Sequence, residues 1–197
     1  MRQLIQAWTA IVIAALLLAA CASRPQLPPP TLPSLQLPPA ALGTSLSLTQ
    51  RLTVTRAPSA AEAYMSMPTT HSLDVLLEID SAAVHLAGFA LGQRVLTLAW
   101  DGQTLESTRH PMLPAAVDAA KVLRDVQLVY WPAASVQAAL PDGWTLEDAG
   151  TDRRLSHDGK LAATIHYETE PRWAGNARLD NRLEDYHLLI ESKVQAQ

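Results

Sequence analysis

The sequence is short of cysteine, glycine and concentrated positive charge. Cys21 is its only cysteine, so no intramolecular disulfide can staple the fold and no paired-cysteine metal or redox motif is present. Glycine occurs eight times in 197 residues, never in a pattern that would cradle phosphate. Lys and Arg number 15 against 19 Asp and Glu, with no basic run. The electrostatic footprint of nucleic-acid binding is missing, and no nucleic acid is expected as partner. His71, His85, His110, His157, His166 and His187 form no HExxH or other zinc-ligating spacing, and no serine stands in a G-x-S-x-G elbow. No residue type or spacing asks for an enzyme, a metal or a cofactor.

What is present begins with residues 1–20. Arg2 gives a minimal positive start, Ala10 to Leu18 is a continuous apolar run, and Leu18-Ala19-Ala20-Cys21 follows. The run is too short to span a bilayer and reads as a signal peptide. An ordinary signal with a chance cysteine is one reading; against it, Cys21 has no cysteine to pair with. Small residues ahead of that cysteine resemble the lipobox of bacterial lipoproteins. The resemblance implies a diacylglycerol thioether and an N-acyl chain, such as palmitate, on Cys21. Each buried methylene contributes roughly 0.8 kcal/mol, so several chains anchor firmly. Ala22 stands where an aspartate commonly retains such proteins in the inner membrane. The implied address is the outer membrane, lipid-anchored and periplasm-facing.

Residues 21–44 are expected to be the lipidated cysteine and a tether. Seven of the fourteen prolines lie in 22–44 (Pro25, Pro28, Pro29, Pro30, Pro33, Pro38, Pro39), with almost no charge. Such a segment favours polyproline II and, at ~3.1 Å per residue, reaches up to ~70 Å. A proline-rich ligand for a partner domain is the alternative. Without Arg2, 14 basic residues face 19 acidic ones, a net of about −5.

The folded domain is expected over 45–197 and is organised around residues 72–100. Leu73, Val75, Leu77 and Ile79 alternate with Asp74, Glu78 and Asp80, the period of a half-buried strand. Apolar runs at 83–90 and 94–100 complete an antiparallel meander. Val84 and Leu86 share a face, but Ala87 and Phe89 are apolar on the other, more apolar surface than a small one-sided core needs. His85, inside that run, is expected to be a hydrogen-bonded interior residue. Residues 45–56 form a first strand, and 114–130 change period. There Ala119, Val122, Leu123, Val126, Val129 and Tyr130 recur at three and four, an amphipathic helix with Leu128 out of pattern. Trp131-Pro132 breaks it before a shorter helix over 133–140. Strands return at 144–148, 153–157 and 160–168; 171–182 is expected to be a loop or short irregular strand, and 183–192 a final strand. The class is α+β: a curled antiparallel sheet of about eight or more strands, with the helices as its plug. His166 with Glu168, and Asp185 with His187, could meet across neighbouring strands; a polar outer sheet face is the plainer reading.

The lipobox, GFALGQRVLTLAWDGQTL, LVYWPAASVQAALPDG, KLAATIHYETE and the last strand together resemble the LolB-like outer-membrane lipoproteins over roughly 45–192. The resemblance implies an incomplete antiparallel β-barrel enclosing an apolar cavity, with the helices as its lid. Its lining candidates are Leu73, Val75, Leu77, Ile79, Val84, Leu86, Leu96, Leu98, Trp100, Val122, Val126, Tyr130, Ile165, Tyr167, Tyr186 and Leu188. It also implies a membrane-transfer loop, which falls on Leu91 with Phe89. The implied partners are lipid or lipoprotein acyl chains, the membrane through Cys21, and a periplasmic carrier protein. Some relatives are associated with synthesis of polyene lipids, which makes a special lipid an alternative cargo. The expected function is binding of acyl chains and help in their transfer to the outer membrane. A non-catalytic assembly lipoprotein that docks a protein partner is the alternative, and a lipid-modifying enzyme using His166 or His187 the remote one.

Overall fold

Ten strands form the framework of the protein in the computed structural model, which describes residues 31–58, 63–65, 69–114 and 117–195. They are β1 (Leu46–Arg56), β2 (Thr70–Ile79), β3 (Val84–Ala90), β4 (Gln93–Trp100), β5 (Leu105–Arg109), β6 (Trp144–Ala149), β7 (Asp152–His157), β8 (Lys160–Tyr167), β9 (Asn176–Asn181) and β10 (Tyr186–Val194). They form one sheet in the order β5-β4-β3-β2-β1-β10-β9-β8-β7-β6. Every pairing is antiparallel. Two five-stranded meanders are therefore joined where β1 pairs with β10, from Leu48 opposite Val194 to Arg56 opposite Tyr186. The sheet is open, with β5 and β6 as its edges, and two helices connect those edges: α1 (Ala119–Tyr130) and α2 (Ala133–Ala139).

The expected meander is present as β2, β3 and β4. Val75, Leu77 and Ile79 are buried while Asp74, Leu76 and Glu78 point out, as period-two alternation requires. The same parity corrects the reading of His85: Val84 and Leu86 face the core, so His85 between them is exposed on the outer face. The stretch 171–182 also holds more order than expected. Asn176–Asn181 is a regular strand paired on both sides, with Ala177 and Leu179 buried. Two inward residues suffice because both neighbouring ladders satisfy its backbone.

Helix α1 starts where Asp118 accepts hydrogen bonds from the Ala120 and Lys121 amides at 2.9 and 3.2 Å, an N-cap. Leu128, out of the apolar pattern, is nonetheless buried, and so are Arg124 and Gln127. This helix is covered on more sides than a surface helix would be.

One of the covers is the segment expected to be a solvated tether. Leu32, Leu35, Leu37 and Leu42 belong to the same core cluster as the sheet and α1. The folded unit begins at Thr31, not Ser45. Leu35, Leu37 and Pro39 are buried while Ser34, Gln36 and Pro38 between them are exposed. An extended strap thus lays one face on the core before a 3₁₀ turn at Pro39–Leu42 leads into β1. Composition misled here: proline-rich chain was equated with solvated chain, although leucines at 32, 35, 37 and 42 supply a buriable face. Residues 1–30, with Cys21 and the stretch expected to be an export signal, lie outside the described residues. Replacing Leu35 by Ala should lower unfolding free energy by about 2–4 kcal/mol in urea titrations; an unchanged midpoint would return 31–44 to the status of a free tether.

Candidate functional site

The strap is fastened at two consecutive residues, Leu37 and Pro38. Gln127, fully buried on α1, accepts from the Leu37 amide at 3.0 Å and donates through Nε2 to the Leu37 carbonyl at 2.9 Å. The Trp100 indole donates to the same carbonyl at 2.8 Å, and the Trp131 indole to the Pro38 carbonyl at 3.2 Å. The amide of Gln127 copies the pairing that a strand backbone would give, on a segment that no strand joins. The cost of burying these polar groups is offset because each has its partner.

The cavity-lining candidates come together, but as core. Val75, Leu77, Ile79, Val84, Leu86, Leu96, Leu98, Trp100, Tyr130, Ile165, Tyr167 and Leu188 are buried. Leu73, Val122, Val126 and Tyr186 are partly buried against them. The strap leucines lie in this same cluster, so what the sequence suggested as lining is packed against the chain's own apolar segment. A hollow of about 470 Å³ does occur, on the opposite, outer face of β2–β5, bordered by Leu76, Glu78, His85, Ala87, Glu106 and Thr108. Leu76 is 41 % exposed there.

Leu91 is 93 % exposed at the turn between β3 and β4. Its φ is 51° and that of Gly92 is 76°, so both turn residues are left-handed, the geometry that favours Asn-Gly. A leucine there carries roughly 1 kcal/mol of backbone strain as well as an unburied side chain. Phe89, named with it from the sequence, is half-buried in β3 beside a register shift between Gly88 and Phe89 and is not at the tip. The β1–β2 connection and the loop after β5 lie at the same end of the sheet. They carry Tyr64, Met65 and Met112, which are 91 %, 67 % and 51 % exposed. Periodicity could not single out these residues, since a turn has no buried face to register against.

Two charged clusters stiffen the sheet around α1. Arg124 forks onto Glu184 at 3.2 and 2.8 Å and reaches Asp125 at 2.9 Å, while Lys121 meets Glu184 at 3.1 Å. The Tyr186 hydroxyl donates to Asp125. On the second meander, Arg153, 2 % exposed, donates to the Leu128 and Trp131 carbonyls at 2.6 and 3.0 Å, capping the C-terminal end of α1. It also meets Asp148 at 2.9 Å, and Arg172 grips Asp148 at 2.9 and 2.7 Å. Arg172 lies over the Tyr167 ring, 4.3 Å from its centroid. Neither cluster is legible in the sequence: Arg124 on α1, Arg153 on β7 and Arg172 between β8 and β9 carry no sign of which carboxylates face them.

Partial burial pushes the Asp148 carboxyl upward, but hydrogen bonds and charge from Arg172 and Arg153 outweigh it and hold the group below its ordinary 3.8. Burial likewise raises Glu184, and Arg124 and Lys121 more than reverse that. A carboxyl whose folded value lies below its unfolded one stabilises the fold above the unfolded value and loses that contribution as pH falls through the folded value. Thermal melts from pH 7 to pH 2 should therefore show stability declining below about 4. Asp148→Asn should be less stable at neutrality and show a shallower acid decline.

The histidine–carboxylate cluster, the less favoured of the two readings, does not assemble. His166 meets Asp152 at 3.0 Å and His187 meets Asp180 at 3.1 Å, each across one strand pair with both members solvent-accessible. Glu168 instead takes Asn176 and Arg178. Among the described residues no group of three or more His, Cys, Asp or Glu is placed to hold a metal. No helix among them is long and apolar enough to cross a membrane, which says nothing of strands.

These features define a class: an open, curled antiparallel sheet of ten strands whose core face takes up a helix and an extended apolar strap. A family model described as a protein of unknown function, DUF3261, matches residues 47–194, and the chain belongs to that family. No curated protein matches it. The match takes in Trp100, Gln127 and Trp131 but begins after the strap.

Replacing Leu91 by Asn should raise unfolding free energy by about 0.5–1 kcal/mol, read in urea titrations, because Asn tolerates the left-handed turn that leucine resists.

Proposed function

We propose that this protein is a lipoprotein anchored through Cys21 in the outer membrane. Its periplasm-facing domain takes an acyl or other linear hydrophobic chain against the core face of the sheet and helps deliver it to the membrane. The observation that carries this reading is the strap. The core face already accommodates one extended apolar segment, Leu32 to Leu37, lying beside α1 without joining any strand. An acyl chain has the same requirements: burial along its length at about 25 cal/mol per Å², with no ladder to complete. The incomplete-barrel and cavity likeness to LolB-like lipoproteins belongs to this proposal, with the interior closed when no cargo is bound.

Leu91 supports the delivery half. It combines near-complete exposure with left-handed strain, on a rim that also carries Tyr64, Met65 and Met112. An apolar tip kept against its local preference suits insertion among acyl chains. The reading requires no covalent chemistry, and the separated, solvent-accessible His166–Asp152 and His187–Asp180 pairs suit side chains of an outer sheet face. A periplasmic carrier would be the source of the cargo. One observation favours the assembly alternative: the outer hollow beside exposed Leu76 is a place where a protein partner could dock.

A fluorescent fatty-acid probe should bind the mature protein saturably, and Leu91→Glu should retain that binding and the fold while slowing probe transfer to vesicles. Absence of saturable binding would sink the acyl reading. Loss of folding in Leu91→Glu would make Leu91 structural.

A further inference from the structure

Three hydrogen-bond donors converge on two consecutive carbonyls in the most apolar part of the molecule. Gln127 Nε2 and Trp100 Nε1 share the Leu37 carbonyl, at 2.9 and 2.8 Å, and Trp131 Nε1 takes the Pro38 carbonyl at 3.2 Å. The three side chains are at most 2 % exposed. All three fall inside the family-matched region, whereas their acceptors come from a segment outside it. The domain therefore contributes the donors, and the carbonyls reach it from the preceding chain. A side-chain amide and two indoles fix where a carbonyl sits, not which chain bears it.

The strap is also built to be separable. It belongs to none of the ten strands, and Pro33, Pro38 and Pro39 have no backbone N–H to give. Apart from the fastening at Leu37 and Pro38, it is held by leucine side chains on the core face, a non-directional attraction that a hydrocarbon can replace. The donors are different. Left without acceptors in a buried site they would be costly, so a replacement occupant is favoured if it brings a carbonyl of its own. A bare hydrocarbon brings none; an acyl ester carries one at the head of the chain, and an acyl amide carries in addition the N–H that Gln127 Oε1 takes from Leu37.

We infer that the strap 31–38 is the exchangeable resident of the acyl site, and that the site selects acyl chains bearing an ester or amide carbonyl over bare hydrocarbon, that carbonyl taking the position of the Leu37 carbonyl at Gln127 and Trp100. The inference rests on the acyl-binding reading above and adds to it a ligand class and an internal competitor.

The test uses the full mature protein in nanodiscs, with nitroxide labels at Ser34→Cys on the strap and Ser81→Cys on the β2–β3 turn, both exposed positions. Electron–electron distances are measured with methyl palmitate or hexadecane supplied from cyclodextrin. Without ligand, one narrow distance is expected. Methyl palmitate should convert it to a broad distribution, at a concentration at least tenfold below that needed for hexadecane. Trp100→Phe, which removes one donor and keeps an aromatic ring, should narrow that preference to about threefold or less. Saturable methyl palmitate binding with an unchanged distance distribution would overturn the exchange while leaving acyl binding intact. Equal potency of the two ligands in the parent protein would overturn carbonyl selection. Failure of both ligands to bind would remove this inference together with the acyl reading.

Discussion

The seating of the strap depends on the paired hydrogen bonds between Gln127 and the backbone of Leu37. A buried amide is least costly when its donor and acceptor are both used, and here both are used by one residue of an extended chain. That requirement fixes the strap against α1 in a single register. With the register set, Leu35 and Leu37 lie on the core face, and the Trp100 and Trp131 indoles reach neighbouring carbonyls. Without the strap, the sheet's core face would have an uncovered apolar strip and three polar groups with nothing to bind.

The rest of the sheet holds α1 in the matching position. Arg124 ties the helix to Glu184, beside the start of β10, and Arg153 caps its last turn from β7. The Tyr130 hydroxyl meets Gln50 on β1 and Ser192 on β10 at 2.6 and 3.2 Å. These contacts come from both meanders, so the helix spans the seam where β1 and β10 join. The polar groups set position, whereas burial of the apolar cluster supplies most of the favourable free energy. Such a division suits a face that must keep its shape while its apolar filling changes.

Much of this was legible because burial imposes a period. Leu73 to Ile79 alternate and form β2; Ala119 to Tyr130 recur at three and four and form α1. His85 could have been placed correctly from the same parity, since Val84 and Leu86 on either side face inward. Other parts left no periodic trace. The strap was hidden by its prolines, and β9 by the glycine, proline and asparagines around two inward residues. Leu128 broke the helical pattern because α1 meets more than one surface, a tertiary fact with no local signature. The sixteen residues expected to line a cavity pack into one cluster, and nothing in their periodicity says that the chain's own leucines join it.

The strap also links the interior to the anchor. If Cys21 is acylated, undocking Leu32 to Pro38 would lengthen the connection to the membrane by up to ~22 Å, at ~3.1 Å per residue. Occupancy of the acyl site and distance from the membrane would then be one variable. On the proposed exchange an empty domain would be held short, with its filling supplied by its own chain, and a loaded one would gain reach. The leash and the plug would be the same residues, so neither would change without the other. Leu91, at the rim, would meet the membrane under different constraint in the two states, which gives the exposed tip and the buried strap a common mechanical basis.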